Sequence, residues 1–209
     1  MAESEPQISY PGPAPAPKGW SRIARRTRVP LGFLLAIFYF WFAHPTWISL
    51  AAGAIVALPG LLLRAYAAGY VKKDRELTTT GPYAHTRNPL YLGSVIAAAG
   101  CALASRNLWI VLAILTMFFA IYIPVIRDEE SYLGRIFPGF GEYRKHVPRL
   151  LPRLTAFRGA DADAAPGSFS RSLYMRHREY NAPMGAAALL AALAVKILYT
   201  SGWLHLPIR

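Results

Sequence analysis

The sequence predicts an all-α integral membrane protein of about five transmembrane helices with its N-terminus inside. Three observations carry that expectation. Of 209 residues, 54% are hydrophobic and only 16% charged, too apolar a balance for an ordinary soluble domain of this length. The apolar residues gather in five runs, roughly 30–43, 46–66, 89–105, 108–126 and 184–203. The 23 Lys and Arg residues, in turn, alternate with those runs. Five precede the first run, five lie from the last turn of the second run (Arg64) to the third, and ten lie between the fourth and fifth. With five spans those segments share one side, which the positive-inside rule makes the cytoplasm.

Taken in order, residues 1–28 form a basic N-terminal tail. Its first part, rich in Pro, Ala and Ser, cannot build a core and is expected to be disordered. It has no apolar stretch close behind Met1 and so does not read as a signal peptide. Residues 29–155 form the membrane core, four helices plus a cytoplasmic motif region. The first run is short, since Val29 to Ala43 would cover only ~22 Å against ~30 Å of hydrocarbon. Ala43-His44-Pro45-Thr46 permits only a tight turn, making the first two runs a helical hairpin. Residues 156–169 read as a linker. Residues 170–209 form an appendage, the basic, amphipathic stretch Ser170–Tyr180 followed by one span in which Lys196 is expected to snorkel to the outer interface. Cys101, the single cysteine, excludes an intrachain disulfide and a cysteine metal cluster and is expected to pack in its apolar run.

The net charge of +12 reads as a basic collar facing anionic lipid headgroups. No helix–turn–helix, zinc spacing or soluble basic domain accompanies it, so nucleic acid is not expected as a partner.

Two polar clusters stand out. Gly81-Pro82-Tyr83-Ala84-His85-Thr86-Arg87-Asn88-Pro89-Leu90-Tyr91-Leu92-Gly93 places rigid, polar and aromatic residues where the third run begins. Gly81-Pro82 signals a turn, and Pro89 suits a first helical position, where its missing N–H leaves nothing unpaired. A helix start and an interfacial aromatic belt account for each residue singly; the density of Tyr83, His85, Arg87, Asn88 and Tyr91 favours a site. Arg127-Asp128-Glu129-Glu130 marks the end of the fourth run. The plain reading is a local ion pair of Glu130 or Asp128 with Arg135 or Arg127. The alternative is a negative pocket for a cationic ligand, because carboxylates at the hydrocarbon edge are costly unless paired or wet. An antiparallel helix pair would bring the two clusters to one membrane face.

Arg-x-Pro-x-Tyr-x-Gly at 87–93, Glu-Glu-x-x-Leu at 129–133, Phe140-Gly141-x-Tyr143 and Val147-Pro148-Arg149-x-x-Pro152, in this order, resemble the isoprenylcysteine carboxyl methyltransferase and phospholipid methyltransferase superfamily. The resemblance covers about residues 60–153. It implies an integral membrane enzyme that uses S-adenosylmethionine, held on the cytoplasmic side between the two clusters, to methylate a lipophilic or lipid-linked acceptor such as a prenylcysteine carboxylate or a phospholipid amine. Residue by residue, it implies that Glu76, Leu77, Thr78, Tyr83, Asn88, Pro89, Leu90, Tyr91 and Gly93 line the cofactor and that Glu129 and Glu130 contact it. Arg127 lies near the position of an acceptor-binding arginine. Where this superfamily usually has His the chain has Asn88, which hydrogen-bonds but does not titrate.

The chemistry asks for placement more than for functional groups. Arg127 or Arg87 could hold an acceptor carboxylate by charge-assisted hydrogen bonds. A phospholipid amine must first lose a proton, for which His85 is the titratable candidate. No metal is required. The expected partners are a lipid or other lipophilic substrate and membrane lipids, in a bacterial-type inner membrane or an endomembrane. The appendage is expected to lie beside the acceptor's lateral approach without supplying cofactor contacts. Two other classes stay open at this stage, a small membrane transporter or channel and a non-catalytic membrane scaffold.

Overall fold

The computed structural model describes residues 19–72, 76–158 and 167–203, and among them every ordered element is helical. The expected tail up to residue 18 and residues 159–166 of the expected linker lie outside the described residues.

Helix α1 spans Trp20–Phe42. It begins well before Val29, so residues 20–28, assigned above to the tail, are its first turns. Arg22 and Arg26 point outward and Ala24 is fully buried. The apolar part of α1 is therefore short, but the helix itself is not: 23 residues rise about 34 Å. Helix α2 spans Trp47–Ala68 and opens on a capping box in which the Thr46 and Ser49 side chains each serve the other's backbone N–H. Helix α3 spans Pro89–Ser105. It packs against α2 at backbone contact, because a Cβ on Gly60 would stand 2.5 Å from the Gly93 carbonyl oxygen and one on Gly53 would stand 2.6 Å from that of Gly100.

The fourth run was expected to end at residue 126. Instead α4 (Leu108–Met117) passes through a π turn (Phe118–Tyr122) into α5 (Ile123–Ile136), one rod of 29 residues, about 43 Å long. The π turn has a local cause. Pro124 offers no N–H to the carbonyl of Ala120; that carbonyl accepts instead from Trp20 Nε1 at 2.8 Å. The rod outruns a bilayer's hydrocarbon, so the acidic cluster sits on helix rather than at a helix end.

Beyond it α6 (Phe140–His146) and Val147, which follows it, bury Phe140, Tyr143 and Val147 against Leu77, Leu133 and Phe157. Then come α7 (Arg171–Arg176) and α8 (Asn181–Thr200). Three helical stretches, Trp47–Ala68, Leu108–Ile136 and Asn181–Thr200, are long and apolar enough to cross a membrane, and Val29–Phe42 and Pro89–Ser105 are shorter apolar helices. Large apolar side chains stand exposed along them, Phe33, Ile55 and Phe119 among others, as expected of surfaces solvated by lipid rather than water.

At one end of the bundle the helices are tied by neutral hydrogen bonds. Tyr39 Oη donates to the Cys101 carbonyl at 2.7 Å, the His44 N–H to Ser105 at 2.8 Å, and Asn107 Nδ2 to Phe42 at 2.8 Å. Lys196 reaches along α8 to the C-terminal end of α1. Its Nζ donates to the carbonyls of Phe40 (2.5 Å) and Trp41 (3.0 Å), so it neutralises the negative C-terminal end of α1. The segments 69–72, 76–88, 123–158 and 167–180 collect at the other end.

Candidate active site

Local chemistry assembles that other end. Asn88 is the N-cap residue of α3, with Pro89 at the first helical position. Asparagine ordinarily caps a helix by accepting from its own first turn. Asn88 makes no such bond. Its Nδ2 donates instead to Glu130 Oε1 at 2.9 Å and to the Arg149 carbonyl at 3.1 Å. Arg149 donates to Glu130 Oε2 through Nε at 3.1 Å and Nη2 at 2.9 Å. Arg87 Nη2 stands 3.4 Å from Glu130 Oε1. Glu130, only 5% exposed, thus faces four N–H-bearing nitrogens, about the capacity of one carboxylate. The partners come from residues 87–88 and 149, not from the adjacent Arg127 or Arg135 that a local ion pair would use. Arg135 bonds to Ser131.

Backbone bonds hold the two contributing segments side by side. The Arg87 N–H donates to Pro148 (2.9 Å), Arg153 to His85 (2.9 Å) and Phe157 to Ala84 (2.9 Å). Thr86 Oγ1 donates to both Arg149 and Leu150, and Tyr143 Oη to the Tyr83 carbonyl at 2.7 Å. His85 Nδ1 lies 2.8 Å from the Arg153 carbonyl. A carbonyl accepts only, so Nδ1 carries the proton and Nε2 is the free nitrogen.

The charges here are not all met. Arg87 is 8% exposed, and its Nε and Nη1 have no acceptor among the described residues. Burial lowers the pKa of its guanidinium, with Arg149 and Arg144 acting in the same direction, while Glu130 opposes them. Burial likewise drives the pKa of Tyr83 upward, followed by the nearby Tyr143 and the carboxylates of Glu129 and Glu179. Tyr143 is raised by burial too. Both phenols therefore remain neutral O–H groups through the physiological range. Glu129 is half-buried and receives no hydrogen bond or ion pair from another described residue.

Other sequence-predicted residues fall around this core. Pro89 is fully buried, and Tyr91 meets Tyr122 edge to face at 6.0 Å. Leu90 offers its carbonyl to Arg64, and Gly93 is the contact with α2. Leu77 packs with the α6 cluster. Thr78 Oγ1 accepts from the Lys72 N–H, and Glu76 forms an exposed pair with Lys72 at 2.8 Å. Arg127 is exposed on α5; the described contacts do not bring it into the Glu130 cluster.

Sequence reasoning missed Arg149, Arg64 and Glu179 as site residues. Arg149 stood inside a quoted motif. Arg64 was an arginine inside an apolar run, and Glu179 the sole acid of the basic stretch 170–180; both were visible signals.

The profile of the family described as phospholipid methyltransferase matches residues 27–139. The chain is 38% identical over 136 residues to a nickel-cobalt-cadmium resistance protein of Alcaligenes xylosoxydans xylosoxydans, covering 61% of this chain and 63% of that relative. It is 34% identical over 140 residues to a cobalt-zinc-cadmium resistance protein of Cupriavidus metallidurans, covering 63% and 64%. Over 83 residues it is 35% identical to a protein-S-isoprenylcysteine O-methyltransferase of Schizosaccharomyces pombe, covering 39% of this chain and 35% of the relative. The chain thus spans just under two thirds of the length of the first two relatives. No solved structure matches it.

Proposed function

The chain belongs to the phospholipid methyltransferase family, and from that premise we propose that it transfers a methyl group from S-adenosylmethionine to a lipophilic or lipid-linked acceptor. We place the reaction at the Glu130 end of the bundle, with that end facing the cytoplasm. The observation that carries the reading is the Asn88–Glu130 bond, which joins two motif segments 42 residues apart around a buried charge cluster.

The residues present fit the cofactor's functional groups. S-adenosylmethionine offers a carboxylate, an ammonium and a cationic sulfonium. Arg87, buried with two nitrogens lacking acceptors among the described residues, suits a carboxylate. Glu129, half-buried and without a described partner, suits a cation. Glu130 is already occupied by Asn88, Arg87 and Arg149, so its part is to set the angle of Arg87 and the start of α3. The cofactor, when bound, supplies an electrophilic methyl group on sulfur. The chain supplies placement, which is worth up to ~7–11 kcal/mol when donor and acceptor are held at near-attack distance. Tyr83 and the residues 76–78 and 88–93 would wall the cofactor from water.

For the acceptor we assign Arg127, exposed on α5, to an anionic headgroup. His85 Nε2, the nitrogen left free by the Arg153 carbonyl, would take the proton from an amine acceptor. An apolar groove of about 320 Å³ between α2, α3 and α8, lined by Ala57, Leu61, Pro183 and Leu190 among others, supports a lipophilic acceptor, since it ends three residues from Arg64. Two relatives are named for metal resistance. Among the described residues no three His, Cys, Asp or Glu side chains gather as metal ligands would, and we assign this chain no metal-binding step.

Calorimetry of the purified protein with S-adenosylmethionine, followed by labelling of lipid extracts with a methyl-labelled donor, tests the reading. Absence of both binding and lipid label would end it. Cysteines placed at Thr155 and at His44 test the sidedness: Thr155→Cys should react only from the cytoplasm and His44→Cys only from outside.

A further inference from the structure

The C-terminal appendage reaches the site through a partly buried ion pair. Arg64 of α2 donates from Nη2 to Glu179 Oε2 at 2.8 Å, with side-chain exposures of 23% and 13%. Its other terminal nitrogen, Nη1, donates to the Leu90 carbonyl at 3.3 Å and to the Ser94 hydroxyl. Leu90 and Ser94 belong to the first turns of α3, directly after Asn88 and Pro89. The same guanidinium therefore grips the start of the motif helix on one side and a residue 115 positions away on the other.

The segment before Glu179 is built to deliver it. The Ser170 N–H donates to the Gly69 carbonyl at 2.8 Å, and His177 Nδ1 lies 3.1 Å from that of Ala68. Phe169 stacks on Tyr66 at 6.3 Å and lies so close over Gly69 that a Cβ there would stand 2.3 Å from its ring. These contacts lay residues 167–177 across the end of α2. Arg178 then adopts φ 51°, a left-handed conformation that an arginine rarely holds, and the chain turns so that Glu179 meets Arg64. The fields of Glu179 and Arg64 both reach Tyr83, which places the pair beside the buried cluster.

We propose that Glu179 is a positioning residue of the methyltransferase site. By holding Arg64 against the Leu90 carbonyl and the Ser94 hydroxyl, it fixes the turn of α3 on which Asn88, Pro89, Leu90 and Tyr91 stand. The appendage is then part of the catalytic unit and not an anchor beside it. This inference rests on the methyltransferase reading above.

The test compares S-adenosylmethionine affinity by calorimetry with the thermal midpoint, using the full chain. Glu179→Gln keeps the shape but removes the charge that orients Arg64, and is expected to weaken cofactor binding about tenfold. Its donor KM should rise by a similar factor while kcat changes less than threefold. Glu179→Asp is expected to recover most of the affinity. Glu179→Gln protein with a lowered midpoint and unchanged affinity would overturn the proposal, since the pair would then serve stability only.

The exchange Arg64→Glu with Glu179→Arg decides the case if Glu179→Gln does not fold. It restores opposite charges but removes the guanidinium from the Leu90 carbonyl and the Ser94 hydroxyl, so stability should return and affinity should not. Recovery of both overturns the proposal. If the unaltered protein binds no S-adenosylmethionine, the methyltransferase reading fails first and this inference with it. If the unaltered protein binds and Glu179→Gln binds equally, this inference alone fails.

Discussion

Asn88 and Asn107 stand at the N-cap positions of consecutive helices, at opposite ends of the bundle. Asn107 accepts from the Trp109 N–H at 2.8 Å and donates to the Phe42 carbonyl. It closes one helix start and one helix end, and no charge lies among those partners. Asn88 leaves its helix start without a side-chain cap and turns to a buried carboxylate. The Asn107 end satisfies its own backbone, whereas the Asn88 end gathers Arg87, Arg149 and Glu130 and leaves two Arg87 nitrogens without acceptors among the described residues. The contrast teaches how to tell a scaffold from a site in a membrane bundle. Polar residues that serve only the fold end up paired with backbone, and those that serve a ligand retain directed, unmet capacity.

The largest expected effect comes from Glu130. Glu130→Gln removes the single anion among two guanidiniums and should cost about 3–5 kcal/mol, the usual penalty for leaving buried charge uncompensated. Detergent-phase thermal unfolding should show it, together with loss of cofactor binding; a stability near that of the unaltered protein would break the comparison. Glu129→Gln should separate the two functions of the acidic pair. Stability is expected to stay within about 0.5 kcal/mol, while S-adenosylmethionine affinity in calorimetry falls about tenfold. At the scaffold end, Asn107→Ala should lower stability by about 1 kcal/mol, the typical value of an N-cap, and leave affinity unchanged. If affinity fell in parallel, the two ends would not be independent.

The smallest effect concerns pH. The Glu142 carboxyl is held below its ordinary value by its hydrogen bond from Lys145. Its folded pKa is depressed, so any stability it adds is present above the unfolded pKa and lost as pH falls through the folded one. The group is fully exposed and its ion pair well solvated. Replacing it by Gln should therefore alter the acid limb of a thermal-midpoint profile barely, and only below pH ~4.5.

The helices were legible because lipid imposes its pattern on sequence: each of the five apolar runs lies within a helical stretch or overhangs it by no more than three residues. Their ends were less so. Trp20 to Arg28 read as tail because charge there masked a helix whose inward contacts, the buried Ala24 and the hydrogen bond from the exposed Trp20 indole, are too sparse to form a periodic signal. Residues 127–136 read as the end of a run because hydropathy falls where the helix leaves the hydrocarbon, although nothing in the backbone stops it. In the cluster, Arg87, Asn88 and Glu130 were visible as motif residues, and the structure joins them. Which acid would be buried was not visible, since Glu129 and Glu130 are chemically alike and only the rotation of α5 distinguishes them. Arg64 and Glu179 each stood out in its own segment, but their meaning lies in a pairing across 115 positions that no local pattern encodes.

That rotation has its own source in the π turn at Phe118–Tyr122. A π turn holds one residue more than the α-helical path it replaces, so everything after it is advanced by one step of about 100°. The membrane part of the rod and its acidic part are therefore phased separately, like two dials joined by a fixed offset. The upstream dial is set by lipid and by neighbouring helices, and the downstream one presents Glu130 inward. Were the same residues to close as uninterrupted α-helix, Glu129 and not Glu130 would turn toward Asn88, whereas deleting one residue between Phe118 and Tyr122 would restore the α-helical path and keep Glu130 inward.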